Sequence, residues 1–266
     1  MTRRGFFAIV DREFRTVLRT RVYLALALGF VIVMVTLAWA GGAAGYVPIA
    51  LSLLTPTEVL VPVLAMAFGY RAILGDVQRG ELELLRTFPV SRPGLVIGVY
   101  LGRAAALLPV VIVALAVAAF LVPLTGGAKT TVIASHAGAD TFLLYLRFVV
   151  LTAVFTLVAL AVALVVSTTA RGVRGAIVLG IGFIILLVVG LDLGLVAALA
   201  GGLPEWLLQW VLGASPNSAY RGLVLRSVTG PVTTTGVRTA APIASLLGLL
   251  VWWFGALGLA ARTVWS

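Results

Sequence analysis

The chain has 266 residues, of which 62% are hydrophobic and 11% charged, and it contains no cysteine. A water-soluble domain of this length needs far more charge to cover its surface. The formal net charge of +10 is spread between apolar runs, which indicates a membrane surface rather than nucleic acid as the charged partner. The absence of cysteine excludes disulfides, thiolate nucleophiles and thiolate metal ligands.

An amphipathic helix is predicted over residues 5–20, within an N-terminal segment 1–21. Its apolar face consists of Phe6, Val10, Phe14, Val17 and Leu18. Its charged face consists of Asp11, Arg12, Arg15 and Arg19. This pattern is typical of a helix that lies in the membrane interface. A plain extension of the first membrane span is the alternative interpretation.

Apolar runs long enough to cross ~30 Å of hydrocarbon recur along the whole chain. They predict an all-α, polytopic membrane protein with one domain, residues 1–266. The six predicted transmembrane helices lie at about 22–40, within 48–74, and at about 95–124, 142–167, 176–199 and 242–261. Gly98 and Gly102, near the start of the third span, have the spacing that lets another helix approach closely.

The second span contains a possible helix start at Thr55-Pro56-Thr57-Glu58. A Thr cap, Pro in the first turn and Glu three residues after the cap fit that role. The spanning helix is then expected to begin near Pro56, with 46–54 as a short outer segment. Alternatively, Glu58 is a functional carboxylate inside the membrane.

The long connection 200–241 contains the sequence LPEWLLQWVLG, which is apolar but too short to cross a membrane. We expect it to form a re-entrant or interfacial helix on the outer side, with Trp206 and Trp210 at the level of the lipid headgroups. If both termini are cytoplasmic, fourteen arginines, Arg103 among them, fall inside and five basic residues outside. This asymmetry favours a plasma-membrane protein with cytoplasmic termini.

Side-chain chemistry for catalysis or metal binding is sparse. The single histidine, His136, lies in a polar outer loop near Asp140, which is a poor basis for a metal site or a Ser/His/Asp set. GGAKTT at 126–131 does not have the spacing of a phosphate-binding loop. Only Glu58 and Asp192 are candidates for carboxylates within the spans, so the chain has no evident energy source of its own.

The most distinctive segment is the predicted cytoplasmic connection between the second and third spans, residues 71–94. Mixed charges at 76–86 surround a short apolar edge at 82–85, Pro89 ends the helix, and Ser91 can cap the next one. A short helix held between two spans can act as a lever for a partner that pushes on it. A solvated loop is the simpler alternative.

This segment resembles ATP-binding-cassette (ABC) transporter permeases of the second exporter type. The matching positions are Asp76, Arg79, Gly80, Glu81, Leu82, Glu83, Leu84, Leu85, Pro89, Ser91, Arg92, Gly98 and Gly102. Two positions depart from the family pattern: Glu81 stands where Thr or Ser is usual, and Val99 where Lys is usual. The layout of an N-terminal interfacial helix, six spans and an outer apolar hairpin is similar as well.

The resemblance implies a non-catalytic subunit that works with a cytosolic ATPase, which binds the ATP and Mg²⁺. It also implies two copies of the permease or a pair of different permeases, and residues 76–92 become the coupling helix that receives the ATPase stroke. SPNSAYRGL at 215–223 further resembles the branch linked to maturation of nitrous-oxide reductase, often labelled copper permeases. Met34 and Met66 are the only internal thioethers, which suits soft copper poorly, so the cargo need not be a bare metal ion.

Three other classes of protein compete with this interpretation. A membrane-embedded enzyme needs a polar catalytic cluster, which the spans do not supply. A self-contained secondary transporter is favoured by inverted repeats or paired broken helices, and the sequence shows neither convincingly. A membrane scaffold that anchors a partner is the third alternative.

Overall fold

The computed structural model describes residues 3–42, 45–81, 91–124, 140–190, 193–194, 201, 204–229 and 241–265, and the regular elements in these ranges are helices. In chain order they are α1 Arg3–Arg19, α2 Arg21–Ala40, α3 Tyr46–Gly69, α4 Leu74–Gln78, α5 Arg92–Leu124, α6 Phe142–Thr169, α7 Val173–Ile185, α8 Glu205–Ala214, α9 Pro216–Val224 and α10 Pro242–Thr263. A π-helical turn continues α7 at Leu186–Gly190, and another continues α9 at Leu225–Thr229.

Six of these helices are long and apolar enough to cross a membrane, which confirms the predicted number of spans. They are α2, α3 with α4, α5, α6, α7 with its π-helical turn, and α10. An even number of crossings returns the chain to the side on which it started. We call the end of the bundle that holds both termini the termini face and the opposite end the distal face.

The N-terminal helix α1 is separate from the first span, because Thr20 adopts an extended backbone between α1 and α2. α1 is therefore not a straight continuation of α2. Ile9, Glu13 and Val17, spaced by about one turn, are buried, and α1 packs against α5. The predicted apolar face is only partly right, since Leu18 remains 46% exposed. The face that packs on the protein includes a carboxylate instead.

The second span begins earlier than predicted. α3 starts at Tyr46 and continues through Pro56, so the expected helix start at Thr55 is wrong. Asp140, at the end of the connection before α6, caps this helix instead. Its carboxylate accepts hydrogen bonds from the backbone amides of Tyr46 (3.0 Å) and Val47 (2.7 Å), which satisfies two of the orphan donors of the first turn.

The central helix of the bundle is α6, which contacts α3, α5, α7, α9 and α10. It buries Tyr145, Phe148 and Phe155 almost completely. Lipid tails are as apolar as these side chains, so helices in a membrane associate through close packing and polar contacts rather than through a hydrophobic driving force. Polar contacts between helices are therefore expected to contribute to how this bundle holds together.

Two short helices, α8 and α9, precede the last span and meet at Ser215. Ser215 caps α9 by accepting a hydrogen bond from the amide of Ser218 (3.5 Å). The indole N–H of Trp252 in α10 donates to the carbonyl of Ala214 at the end of α8 (2.8 Å). The predicted short helix around 203–213 is thus present as α8, and Trp210 is 52% exposed. The sequence interpretation did not include α9.

Candidate coupling site

A buried carboxylate connects the short helix α4 to the N-terminal helix α1. Asp76, in the first turn of α4, is 3% exposed. Its two oxygens accept hydrogen bonds from different arginines: Arg12 Nη2 lies 2.6 Å from Oδ2, and Arg79 Nη2 lies 2.7 Å from Oδ1. Burial lowers the pKa of Arg12, but the contact with Asp76 outweighs it and holds that pKa above its ordinary value. A carboxylate this buried needs such partners.

The turn after α4 extends this contact. Gly80 has a φ of +72°, a left-handed conformation that glycine adopts without a steric penalty. The turn brings Glu81 back to Arg79, whose Nε donates to Oε1 at 2.7 Å, and to Arg12 at 3.4 Å. The hydrogen bond from Arg79 holds the pKa of Glu81 below its ordinary value. Glu81 is thus an ionised, partly exposed carboxylate on the termini face.

The start of α4 is anchored to the end of α6. The hydroxyl oxygen of Ser167, a buried residue, accepts hydrogen bonds from the amides of Ile73 (2.9 Å) and Leu74 (3.0 Å). Amides in the first turn of a helix have no partner within that helix, so Ser167 satisfies two donors that would otherwise be buried and unpaired. α4 is therefore fixed to two separate parts of the bundle, α1 and α6.

A second, fully buried ion pair fixes α1 to the third span. Arg103 Nε lies 3.0 Å from Glu13 Oε2, and both side chains are almost completely buried. Arg103 also donates to the hydroxyl of Tyr23 (3.0 Å) and to the carbonyl of Phe68. Glu13 also forms an ion pair with Arg12, whose Nη2 lies 3.0 Å from Glu13 Oε1. Six residues thus form one network, which we call the coupling cluster: Arg12, Glu13, Asp76, Arg79, Glu81 and Arg103.

Sequence reasoning did not predict the buried pair of Glu13 and Arg103. It treated Arg103 only as one of the cytoplasmic arginines, whereas the structure shows that Arg103 lies inside α5 and is 4% exposed. An arginine within an apolar helix is itself a signal for a buried partner, and this signal identifies Arg103 but not Glu13. Asp192, the other predicted carboxylate within a span, lies outside the described residues.

Two glycines of α5 allow α1 to cross it closely. A Cβ atom added at Gly98 would lie 2.9 Å from Ile9 Cγ2, and one added at Gly102 would lie 2.6 Å from the carbonyl oxygen of Val10. Real Cβ atoms do not tolerate such distances, so the predicted close approach of a helix at this motif is confirmed. The partner is α1, which brings Glu13 within reach of Arg103.

The coupling cluster borders a cavity of about 680 Å³ on the termini face. α1, α2, the end of α3 and the turn at Gly80 surround it, and Tyr70 and Arg71 also line it. Among the described residues, no group of three His, Cys, Asp or Glu side chains is placed to hold a metal ion. The arrangement is suited to holding helices together through ion pairs.

The predicted coupling residues are only partly brought together. Asp76, Arg79, Gly80 and Glu81 lie in one turn beside α1, as described above. Ser91 caps α5 as predicted, since its hydroxyl accepts from the amide of Gly94 at 3.2 Å. Arg92 lies over the ring of Trp265, 5.3 Å from the centroid. The remaining predicted residues fall outside the described part of the chain: Leu82, Glu83, Leu84, Leu85 and Pro89.

The sequence left two roles open for Glu58, a helix cap or a functional carboxylate inside the membrane. In the structure Glu58 is the thirteenth residue of the 24-residue α3 and is 2% exposed. The capping interpretation is therefore wrong. Arg221 of α9 approaches it with two nitrogens, and its Nε lies 2.8 Å from Oε1. The next residue, Tyr220, has its hydroxyl oxygen 3.0 Å from that of Thr57 and 2.7 Å from that of Thr152. We call these five residues the distal cluster.

The fold is thus that of a polytopic α-helical membrane protein whose buried charged side chains, among the described residues, lie in two clusters. The family model described as "ABC-2 family transporter protein" matches residues 46–262. The chain belongs to this family of ABC transporter membrane proteins. It is a multi-pass permease subunit of an ABC transporter, as the resemblance predicted.

Two curated relatives are similar over nearly the whole chain. "Probable ABC transporter permease protein NosY" of Stutzerimonas stutzeri is 30% identical, and the match covers 93% of this chain and 92% of that protein. The protein of the same name from Pseudomonas aeruginosa is 29% identical, over 96% of this chain and 95% of that protein.

Proposed function

We propose that a separate cytosolic ATPase drives transport through this permease and contacts it at residues 71–94. This chain would then be non-catalytic, with ATP and Mg²⁺ bound in the partner. The observation that carries the proposal is the coupling cluster. It joins the segment predicted to receive the ATPase stroke to the interfacial helix α1 and to the third span through direct ion pairs.

The contacts give a physical route for the stroke. A displacement of α4 is passed to α1 through Asp76 and Arg12, because a charge pair at 2.6 Å cannot slide without losing its partner. α1 carries the displacement to α5 through Glu13 and Arg103. The hydrogen bonds to Ser167 carry it to α6. Bundles with discrete packed contacts move as units rather than deforming continuously.

The buried charges favour an external energy source. Proton- or sodium-coupled transporters use carboxylates within the spans that can change their charge or coordinate the ion. Glu58 is the described carboxylate in the middle of a span, and two nitrogens of Arg221 engage it. Both oxygens of Glu58 are thus occupied by Arg221 rather than open to a transported ion. A secondary transporter that relies on Glu58 is therefore the weaker alternative.

The proposed orientation places the termini face in the cytoplasm of the cell and the distal face outside the plasma membrane. With Arg103 removed from the count, the basic residues still divide thirteen to five in favour of the termini face. We further propose that α8 and α9 form the re-entrant hairpin. The contact of Arg221 with the middle of α3 supports an inserted position for α9.

A second permease copy is part of the proposal. Among the described residues, α2 buries Phe30, Met34 and Ala38, and α7 buries Ala176 and Gly180. These two helices thus leave wide apolar surfaces for lipid or for a second copy. Native mass spectrometry of the intact protein tests this point, and a strictly monomeric assembly with its ATPase would contradict it.

The central experiment isolates the tagged full-length chain from its own cells and asks whether a cytosolic ATPase comes with it.

The variant Glu81→Lys tests the contact itself, because it places a like charge beside Arg12 and Arg79 on the exposed side of the cluster. We expect ATPase recovery to fall by about tenfold or more, because like charges at an interface cost several kcal/mol. Membrane insertion and monodispersity report whether the fold remains intact.

Asp11→Lys is the matched control. Asp11 is an exposed acid on α1 that pairs with Arg15 rather than with the cluster. This variant should retain the ATPase. Equal recovery with Glu81→Lys and the unmodified protein would exclude the segment as the contact. Stable transport by the purified chain alone, without any ATPase, would overturn the proposed function.

A further inference from the structure

A groove between α5 and α10 opens at the surface of the bundle near the termini face. It has a volume of about 670 Å³. Its walls are mostly apolar: Pro93, Val96, Ile97, Tyr100, Leu101, Trp253, Phe254, Leu257, Gly258 and Ala261. Phe254 is 64% exposed and Ile97 41% exposed, so the groove is continuous with the lipid-facing surface of the bundle.

One end of this apolar groove carries two arginines, Arg92 at the first position of α5 and Arg262 in the last turn of α10. Both are exposed. The guanidinium carbon of Arg92 lies over the ring of Trp265, 5.3 Å from the centroid, and this cation–π contact holds Arg92 at this end of the groove. No carboxylate among the described residues forms an ion pair with either arginine.

The described carboxylates of the termini face are engaged elsewhere. Asp76 and Glu81 pair with Arg12 and Arg79, and Glu13 pairs with Arg103. The two groove arginines therefore present positive charge at the point where apolar walls meet the edge of the bundle. An apolar slot with cationic groups at its membrane-surface end matches a molecule with an acyl chain and a phosphate.

We propose that an anionic phospholipid of the termini-side leaflet occupies this groove. Its phosphate lies between Arg92 and Arg262, and one acyl chain follows the apolar wall past Ile97 and Gly258. The net negative charge of the lipid matters because two guanidinium groups face the phosphate. A zwitterionic lipid carries its own cation beside the phosphate and gains less from this end of the groove.

A second copy of the chain is the other possible occupant, and the charges argue against it. Closed dimers use the same surface patch on both subunits. If this groove met itself across a two-fold axis, four arginines would be brought together away from water. Like charges in that position cost several kcal/mol, and no described carboxylate is available to offset them.

The first test measures lipid retention by the intact protein. The full-length chain is delipidated in detergent and titrated with palmitoyl-oleoyl phosphatidylglycerol or phosphatidylcholine, and native mass spectrometry counts the bound lipids. We expect a preference for phosphatidylglycerol that the double variant R92Q/R262Q abolishes. The expected loss is roughly fivefold for each arginine, as for one basic side chain at an anionic surface.

The control for charge is R171Q/R174Q, which removes two exposed arginines, one from the connection between α6 and α7 and one from the first turn of α7. It should keep the preference for phosphatidylglycerol. An equal loss in both double variants would mean that the net positive charge, and not the groove, selects the lipid. Equal retention of the two lipids by the unmodified protein would overturn the proposal directly.

A second test blocks the groove without touching its charges. A Cβ atom at Gly258 meets nothing within 4 Å, so Gly258→Phe can fill the slot without a clash in the helix. Gly255 is equally open, and it lines a different cavity of about 380 Å³ beside α6 and α7. Gly258→Phe should lower phosphatidylglycerol binding about as much as R92Q/R262Q, and Gly255→Phe should leave it unchanged.

The same spectra separate the two occupants. If the groove holds a second copy, Gly258→Phe would abolish a dimer peak while lipid binding stays the same, and that result would overturn the proposal. A comparable loss of lipid in Gly255→Phe would show that added bulk anywhere on α10 lowers lipid binding, and it would also contradict the proposed lipid site.

Discussion

The two charged clusters of this protein differ in extent and in exposure. The coupling cluster joins three helical elements, α1, α4 with its turn, and α5, through six charged side chains, and its outer members, Arg79 and Glu81, reach the surface. The distal cluster is compact: one ion pair, Glu58 with Arg221, beside the hydroxyl of Tyr220 and the two threonine hydroxyls that contact it. An extended network that ends at the surface can receive a force from a partner, whereas a compact one holds two elements in register.

The comparison predicts that both clusters stabilise the fold but that only the coupling cluster affects the partner. Removing an exposed member should change association with the ATPase, and removing a buried member should mainly change unfolding. Thermal unfolding of the detergent-purified protein and recovery of the ATPase therefore separate the two roles. Three substitutions test this, in order of decreasing effect on stability.

Glu13→Ala should have the largest effect. It leaves the guanidinium of Arg103 buried without a carboxylate, and removing one partner of a buried pair costs about 3–5 kcal/mol. We expect a clear fall in the unfolding temperature and weaker recovery of the ATPase, because α1 loses its tie to α5. Combining it with Arg103→Leu should recover much of the loss. Additive effects of the two substitutions would show that the residues do not interact.

Arg221→Leu should have an intermediate effect. Glu58 is 2% exposed and loses both donor nitrogens, but Arg221 is 42% exposed, so water can partly replace it. We expect a loss of about 2–3 kcal/mol with the ATPase retained. Arg226→Leu, which removes a nearby exposed arginine, should change the unfolding free energy by less than about 0.5 kcal/mol. Loss of the ATPase in Arg221→Leu would contradict the proposed division of roles.

Tyr220→Phe should have the smallest effect, about 1 kcal/mol. It removes the hydroxyl between Thr57 and Thr152 but keeps the ring, which stacks on Phe155 with centroids 4.6 Å apart. Both threonines also donate to carbonyls of their own helices, at 2.7 Å from Leu54 and 2.8 Å from Phe148. A cost similar to that of Arg221→Leu would show that the hydroxyl, and not the ion pair, holds α9 in place.

Local patterns were enough for the helices and for several of their contacts. Run length and composition predict the six spans, because whether a segment is long and apolar enough to cross a membrane is a property of that segment alone. The break at Thr20, the cap at Ser91 and the close crossing at Gly98 also follow from short patterns. The predicted helix start at Thr55 was wrong because the same residues can also lie inside a longer helix.

Partnerships between distant residues required the tertiary structure. Glu13 and Arg103 are 90 positions apart, Arg12 and Asp76 are 64 apart, and Glu58 and Arg221 are 163 apart. Nothing in the local sequence says which charge will face which, because that depends on how the helices are arranged around α6. The sequence by itself thus determined an α-helical membrane permease with a short charged segment after its second span. Only the packing of α1 across α5 decided that this segment is bound by ion pairs to the rest of the bundle.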